Sequence, residues 1–261
     1  MTAAARERLQ IRVPMLLASG AAWMLLISES SRTSSFSFCP ADMHGVTPLS
    51  RFIDLRLSRS FFADWLLMLA AMMLPALMAP VRYIRDRSFA SKRMRATVLF
   101  LCAYTVTWTA AGSALVALVG LARVIFRDSH LLATAIMLAL LWQSSPWKQR
   151  CLNRCHAEPE LSAYGFAADL SALRFGLVHA MWCFGSCWAL MLVPWLLLRG
   201  HIVAMGVVAL WLFAERLDAP AWPAWRWRIP SKASRIVLAM LVMQLKRERQ
   251  GFAPFQHQEP T

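Results

Sequence analysis

The sequence predicts an all-α fold, a polytopic membrane bundle of about six transmembrane helices with both termini cytoplasmic. Composition is the first reason. Of 261 residues, 58% are hydrophobic and 16% charged, where soluble domains sit near half apolar and a quarter charged. Spacing is the second: six uncharged runs approach the ~20 residues that a helix rising 1.5 Å per residue needs to cross a bilayer. The third is the placement of the 28 Lys and Arg, which lie between those runs. A net charge of +14 invites a nucleic-acid reading, but 12 Trp and 15 Met have no place on such a surface. No nucleic-acid partner is expected.

Residues 1–12 form a basic arm ahead of the first run, Val13 to Ile27. Arg6, Arg8 and Arg12 resemble the start of a secretory signal, yet Ser28 to Ser35 holds no small-x-small cleavage site, so the run is read as an anchor. An outer loop (28–60) follows, rich in Ser and Arg. The second run is Phe61 to Val81 and the third Ala96 to Ala122. The fourth, Leu131 to about Trp142, is the shortest; it reaches a workable length only if the helix continues through Gln143 and two serines. After an inner loop (143–174) come the fifth run, Phe175 to Leu198, and the sixth, Ile202 to Leu217. The membrane domain is thus 13–217, and 218–261 is a basic tail. Within it, Ile236 to Leu245 is too short to span and suits the interface.

With six spans the cations sort unevenly. The arm, Arg82 to Arg95, Lys148 to Arg174 and the tail from Arg216 hold 21, and the opposite side holds seven. The positive-inside rule places the richer side in the cytoplasm, hence a multi-pass inner-membrane protein. In the tail, Trp225 and Trp227 alternate with Arg226 and Arg228, a pairing selected at headgroup depth, so membrane lipid is an expected partner.

No Gly-rich phosphate loop, paired carboxylates or Ser/His/Asp set is visible, and no enzymatic role is expected. Sulfur at helical spacing stands out instead. In the inner loop Ser145 can cap a helix with Pro146 at its first position, running to about Ala157 before Pro159 stops it. Cys151 and Cys155, four apart, then share one face at ~5–6 Å between Cβ atoms. Such a pair suits Cu(I), or half of a zinc site. Lys148, Arg150 and Arg154 around it are expected to lower the thiol pKa. On the fifth run His179, Cys183, Cys187 and Met191 follow at intervals of four, each rotated ~40° from the last, and stay on one broad face. Ionisable groups in a membrane helix turn inward, so this face is expected inside the bundle, although thiols and thioethers also serve there as plain packing.

The second run adds Met68 and Met72, one turn and two turns after Asp64, with Pro75 loosening the backbone nearby. At 1.5 Å per residue they lie ~10 and ~16 Å deep, about level with Met191 and Cys187 on an antiparallel neighbour. Asp64 and Glu215 are read as boundary residues, the latter paired with Arg216 or a tail cation, and Cys102 as packing. In the outer loop Cys39, Met43 and His44 form a possible outer site that could exchange metal with a periplasmic or membrane copper-receiving partner.

Ala71-Met-Met-Leu-Pro75, then Ser145-Pro-Trp-Lys148 leading to Cys151-x-x-x-Cys155, then Gly176 and Cys183-Phe-Gly-Ser-Cys187-Trp-Ala-Leu-Met191, resemble the bacterial family of predicted metal-binding integral membrane proteins, a domain of unknown function. The similarity covers roughly Phe61 to Leu217. It implies metal handling in the inner membrane, with copper delivery as the suggested form. The chain departs from the pattern at His156, where an arginine is usual, and in its long tail after Pro220. The expectation is therefore a Cu(I) binder, with zinc as an alternative at the inner pair. A membrane thiol–disulfide redox protein is the alternative, but cysteines four apart on a helix are marginal for bridging and the outer side offers only Cys39. A haem carrier fares worse, because His179 and His201 start their helices on opposite sides.

Overall fold

The computed structural model describes residues 3–32, 59–125, 128–162, 164–197 and 200–232, with positions 234–236, 239, 240 and 243. These include seven helices: α1 (Ala3–Arg32), α2 (Arg59–Arg87), α3 (Arg93–Ile125), α4 (Asp128–Ser144), α5 (Pro146–Cys155), α6 (Gly165–Leu196) and α7 (His201–Leu217), and the described positions of the tail from 231 to 243 are helical as well. Among the described residues there is no strand.

Leu9–Glu29, Phe62–Arg87, Arg93–Ala122 and Gly165–Leu196 are long and apolar enough to cross a membrane. The other two expected spans are shorter. Helices α4 and α7 have 17 residues each, or roughly 25 Å against a hydrocarbon core of ~30 Å. Helix α4 does continue through Gln143 and Ser144, and Ser145 ends it by capping α5. Helix extends beyond the expected spans, and the inner loop holds the short helix its sequence predicts. The arm is continuous with α1 from Ala3, and the inner loop holds α5 and the first turns of α6. Apolar side chains such as Leu17, Val106, Met181, Val203 and Leu210 face outward, a liability in water and the expected surface in lipid.

Helix α6 is the hub, packed directly on α3, α4, α5 and α7. Small residues allow the approach. A Cβ on Gly176 would lie 2.5 Å from the Phe100 carbonyl oxygen of α3, so only glycine fits that crossing. Likewise Gly112 of α3 opens a notch for the Trp65 ring, which a Cβ would meet at 2.0 Å.

Helix α1 is held to α2 by a consequence of Pro75. That residue has no N–H, so the Ala71 carbonyl one turn earlier loses its helical donor. Ser19 Oγ donates to that oxygen at 2.7 Å and Trp23 Nε1 at 3.1 Å. The backbone that the proline frees is thus satisfied by a neighbouring helix.

Helices α2 and α6 meet through rings at both ends. Trp65 touches Trp195 with centroids 5.7 Å apart, and Tyr83 touches Phe175 at 5.9 Å. These pairs set the two helices antiparallel. By interpolation Met68 comes level with Met191 and Met72 with Cys187, and all four are buried.

Candidate metal centre

The short helix α5 forms where its sequence predicts. Ser145 Oγ accepts from the Lys148 amide at 3.2 Å, and Pro146 occupies the first turn. The helix stops at Cys155, two residues before the expected end, because His156 closes it: the ring contacts the Leu152 carbonyl at 2.9 Å through Nδ1 and the Arg216 carbonyl at 3.1 Å through Nε2. The ring lies between the ends of α5 and α7 and, in either neutral tautomer, donates to one of the two carbonyls.

Helix α5 lies on α6 with its thiols facing inward. A Cβ on Gly185 would sit 2.8 Å from Cys151 Sγ, so the thiol occupies the space that glycine leaves. One turn on, Cys155 stands beside Ser186 and within electrostatic reach of Cys183, Cys151 and Arg216. Cys183, wholly buried, is contacted at sulfur by the Tyr104 hydroxyl at 3.1 Å and receives a hydrogen bond from Arg216 Nη2 at 2.9 Å. The Cys187 thiol donates to the Cys183 carbonyl at 3.1 Å. The two Cys-x-x-x-Cys elements, expected as separate sites, face each other across the α5–α6 contact, Cys151 against Gly185 and Cys155 beside Ser186.

The expected effect of the local cations on the inner pair is reversed. Burial against α6 pushes the Cys151 thiol up, and it pushes Cys155 up to about 12, with Arg216 opposing. The cations of α5 are turned elsewhere. Arg150 lies over Trp147 at 4.7 Å and Arg154 over Trp182 at 5.8 Å. Lys148 forms a buried ion pair with Glu215, whose carboxylate also accepts from Gln143 Nε2 and, at 2.9 Å, from Trp211 Nε1. Burial lowers the Lys148 pKa, and Glu215 opposes that shift. The expected pairing of Glu215 with Arg216 or a tail cation is therefore corrected: Lys148 takes the carboxylate, and Arg216 turns to Cys183.

The profile of the PpoB2 copper-chaperone family matches residues 62–242, more than two thirds of the chain. The chain belongs to this family. No curated protein and no solved structure matches it. Membership gives the chain a copper-related function, and the matched range includes all of α2 to α7 but the first residues of α2.

The donor chemistry of this PpoB2-family chain fits copper. Among the described residues no three His, Cys, Asp or Glu side chains are arranged to hold an ion. Cu(I) is satisfied by two soft donors, and thiols are its preferred ones. His179 adds a further donor in an unusual setting. It is buried among Phe100, Tyr104 and Phe175, and neither ring nitrogen has a hydrogen-bond partner among the described residues. An orphaned imidazole at such a depth calls for a ligand or an ion.

Met191, Met68 and Met72 sit in the core, as a row of soft donors requires, while Cys102 faces outward on α3 instead of packing. Asp64 is half-buried near the start of α2. Cys39, Met43 and His44 lie outside the described residues. At the basic end of the bundle a cavity of about 750 Å³ opens between α5 and the tail, lined by Lys148, Glu215, Arg226, Trp227, Arg228 and Lys232 among others; none of the described cysteines borders it. The tail is fastened there by Asn153, which exchanges two hydrogen bonds with the Ala221 backbone at 2.8 and 3.2 Å.

Tyr104 and Arg216 are the residues that sequence reasoning missed. Tyr104 had no motif to mark it. Arg216 was legible only as a cation directly after the sole acid of an apolar helix, and sequence reasoning offered it to Glu215.

Proposed function

We propose that this chain is a multi-pass inner-membrane copper chaperone that binds Cu(I) through the cysteine cluster of α5 and α6. The convergence of Cys151, Cys155, Cys183 and Cys187 carries the reading. It supplies several alternative thiol pairs within one turn of each other, so an ion can change partners without leaving soft donors. Cys151 and Cys155, on the half-exposed helix near the basic end, receive or release the ion there. Cys183 and Cys187, with His179 one turn nearer that end, hold it inside, and the level of Met72, Met191 and Met68 continues the path toward the opposite face. Helices α4 and α7 complete six spans, the basic end is cytoplasmic, and the tail contacts lipid headgroups. A periplasmic or membrane protein takes the metal, with Cys39, Met43 and His44 as the outer contact. Cu(I) is favoured over zinc because two soft donors suffice for it, and the thiols of α5 and α6 offer such pairs.

Anaerobic titration of the detergent-purified full chain against a chromophoric Cu(I) chelator tests this. Stoichiometric binding is expected, with loss of at least about tenfold in affinity, ~1.4 kcal/mol, when Cys183 and Cys187 are replaced by Ser. A smaller loss is expected for Met68→Leu with Met72→Leu. Unchanged affinity in the Cys183→Ser, Cys187→Ser double variant would refute the site.

A further inference from the structure

We infer that Arg216 is the resident counter-charge of the thiol cluster and sets its preference for a monovalent ion. This rests on the copper reading above. The guanidinium enters the interior: it donates to Cys183 Sγ at 2.9 Å, and that residue has no exposed surface. A cation taken out of water requires an anion nearby. Lys148 takes Glu215, and among the described residues no carboxylate pairs with Arg216. Its acidic neighbours are the thiols of Cys183, Cys155 and Cys187 and the Tyr104 hydroxyl. Its own backbone carbonyl is held by His156, which keeps the end of α7 in place while the side chain reaches across to α6.

Charge counting then separates the ions. A monovalent ion on two thiolates leaves one negative charge, and the guanidinium cancels it. A divalent ion on the same pair is already neutral, and Arg216 beside it becomes an uncompensated cation in a medium of low polarity. Adding a third thiolate would restore balance, but three ligands are not arranged for it among the described residues. Softness alone does not separate Cu(I) from a divalent thiophilic ion such as Zn(II) at a dithiolate, whereas a fixed positive charge a few ångströms away does. Replacing Arg by Lys retains the charge, and replacing it by Met or Gln removes it.

The test compares Cu(I) and Zn(II) affinities of the full-length protein, wild type and Arg216→Met, Arg216→Gln and Arg216→Lys, each measured by competition with a chelator of known affinity. The readout is the ratio of the two affinities, because a purely structural role moves both together. Arg216→Met and Arg216→Gln are expected to shift the ratio toward Zn(II) by about 10–100-fold, and Arg216→Lys to hold it within about threefold of wild type. The Gln variant is a second neutral replacement, polar where Met is apolar, and serves if the Met variant does not fold. An unchanged ratio in the neutral variants, with Cu(I) still bound, overturns the inference and leaves the copper reading standing. Failure of the wild type to bind Cu(I) overturns both.

Discussion

Gly185→Ala is the most direct probe of the α5–α6 contact. The added Cβ would stand 2.8 Å from Cys151 Sγ and 3.6 Å from Cys151 Cβ. Ordinary non-bonded separations between such atoms are ~3.5–4.0 Å, so the sulfur must move by about 1 Å and the rest of the residue need not. Overpacking of this size costs ~1–3 kcal/mol. Against it, alanine in a helix interior is favoured over glycine by ~1 kcal/mol. The net expectation is a loss of ~0–2 kcal/mol with Cys151 present. With Cys151→Ala in the background the bump disappears, and the same change should stabilise by ~1 kcal/mol. The coupling between the two positions is thus ~1–3 kcal/mol, read as a double-mutant cycle from reversible denaturation in detergent. Cu(I) affinity should fall in Gly185→Ala as well, since the thiol is driven from its seat. If Gly185→Ala stabilises equally in both backgrounds, α5 does not rest on α6 through this sulfur, and the four-thiol cluster fails with it.

Three further outcomes follow from the same geometry. Cys155, with its pKa raised from 9.0 to about 12 by burial, should stay protonated at pH 8. Its alkylation in the metal-free protein is then ~10³-fold slower than that of an unperturbed thiol and rises tenfold per pH unit to about pH 12; a rate plateau near pH 9, followed by mass spectrometry, contradicts this. Glu215→Leu strands the buried Lys148 ammonium and should cost ~3–5 kcal/mol, while adding Lys148→Met recovers most of it; thermal unfolding of the wild type, the two single variants and the double variant decides, and additive losses would show that the pair is not coupled. Ser19→Ala should cost ~1 kcal/mol by removing a donor to the Ala71 carbonyl. That cost should largely vanish beside Pro75→Ala, which restores the helical N–H, and an equal cost in both backgrounds in denaturation would refute the account of the α1–α2 contact.

Much of the site was legible because helical periodicity is local. Ser145, Pro146 and the spacing of Cys151 and Cys155 suffice to write α5, and the interval of four suffices to align His179, Cys183, Cys187 and Met191 on one face. Depth along antiparallel helices was legible too, because rise per residue is constant; the ring pairs of α2 and α6 bring Met68 and Met72 to the levels that simple counting assigns. The inner loop was misread since Gly165–Arg174 carries charges like those of a solvated segment, yet it continues α6 as helix. The pKa of the inner pair was misread for a related reason: sequence neighbours supplied the cations, whereas burial and side-chain direction supplied the effect.

The sequence by itself determined the helices, the apolar runs and the rows of sulfur along each, because composition and the 3.6-residue turn act over a few positions. Only tertiary structure decided that α5 folds onto α6 at Gly185, that Lys148 goes to Glu215 and Arg216 to Cys183, and that Tyr104 reaches the same sulfur. Those contacts join residues 30 to 80 positions apart. Helix packing chooses such partners by shape, through the gaps that glycines leave, and by the need of each buried charge for a counterpart; neither leaves a local mark in the chain.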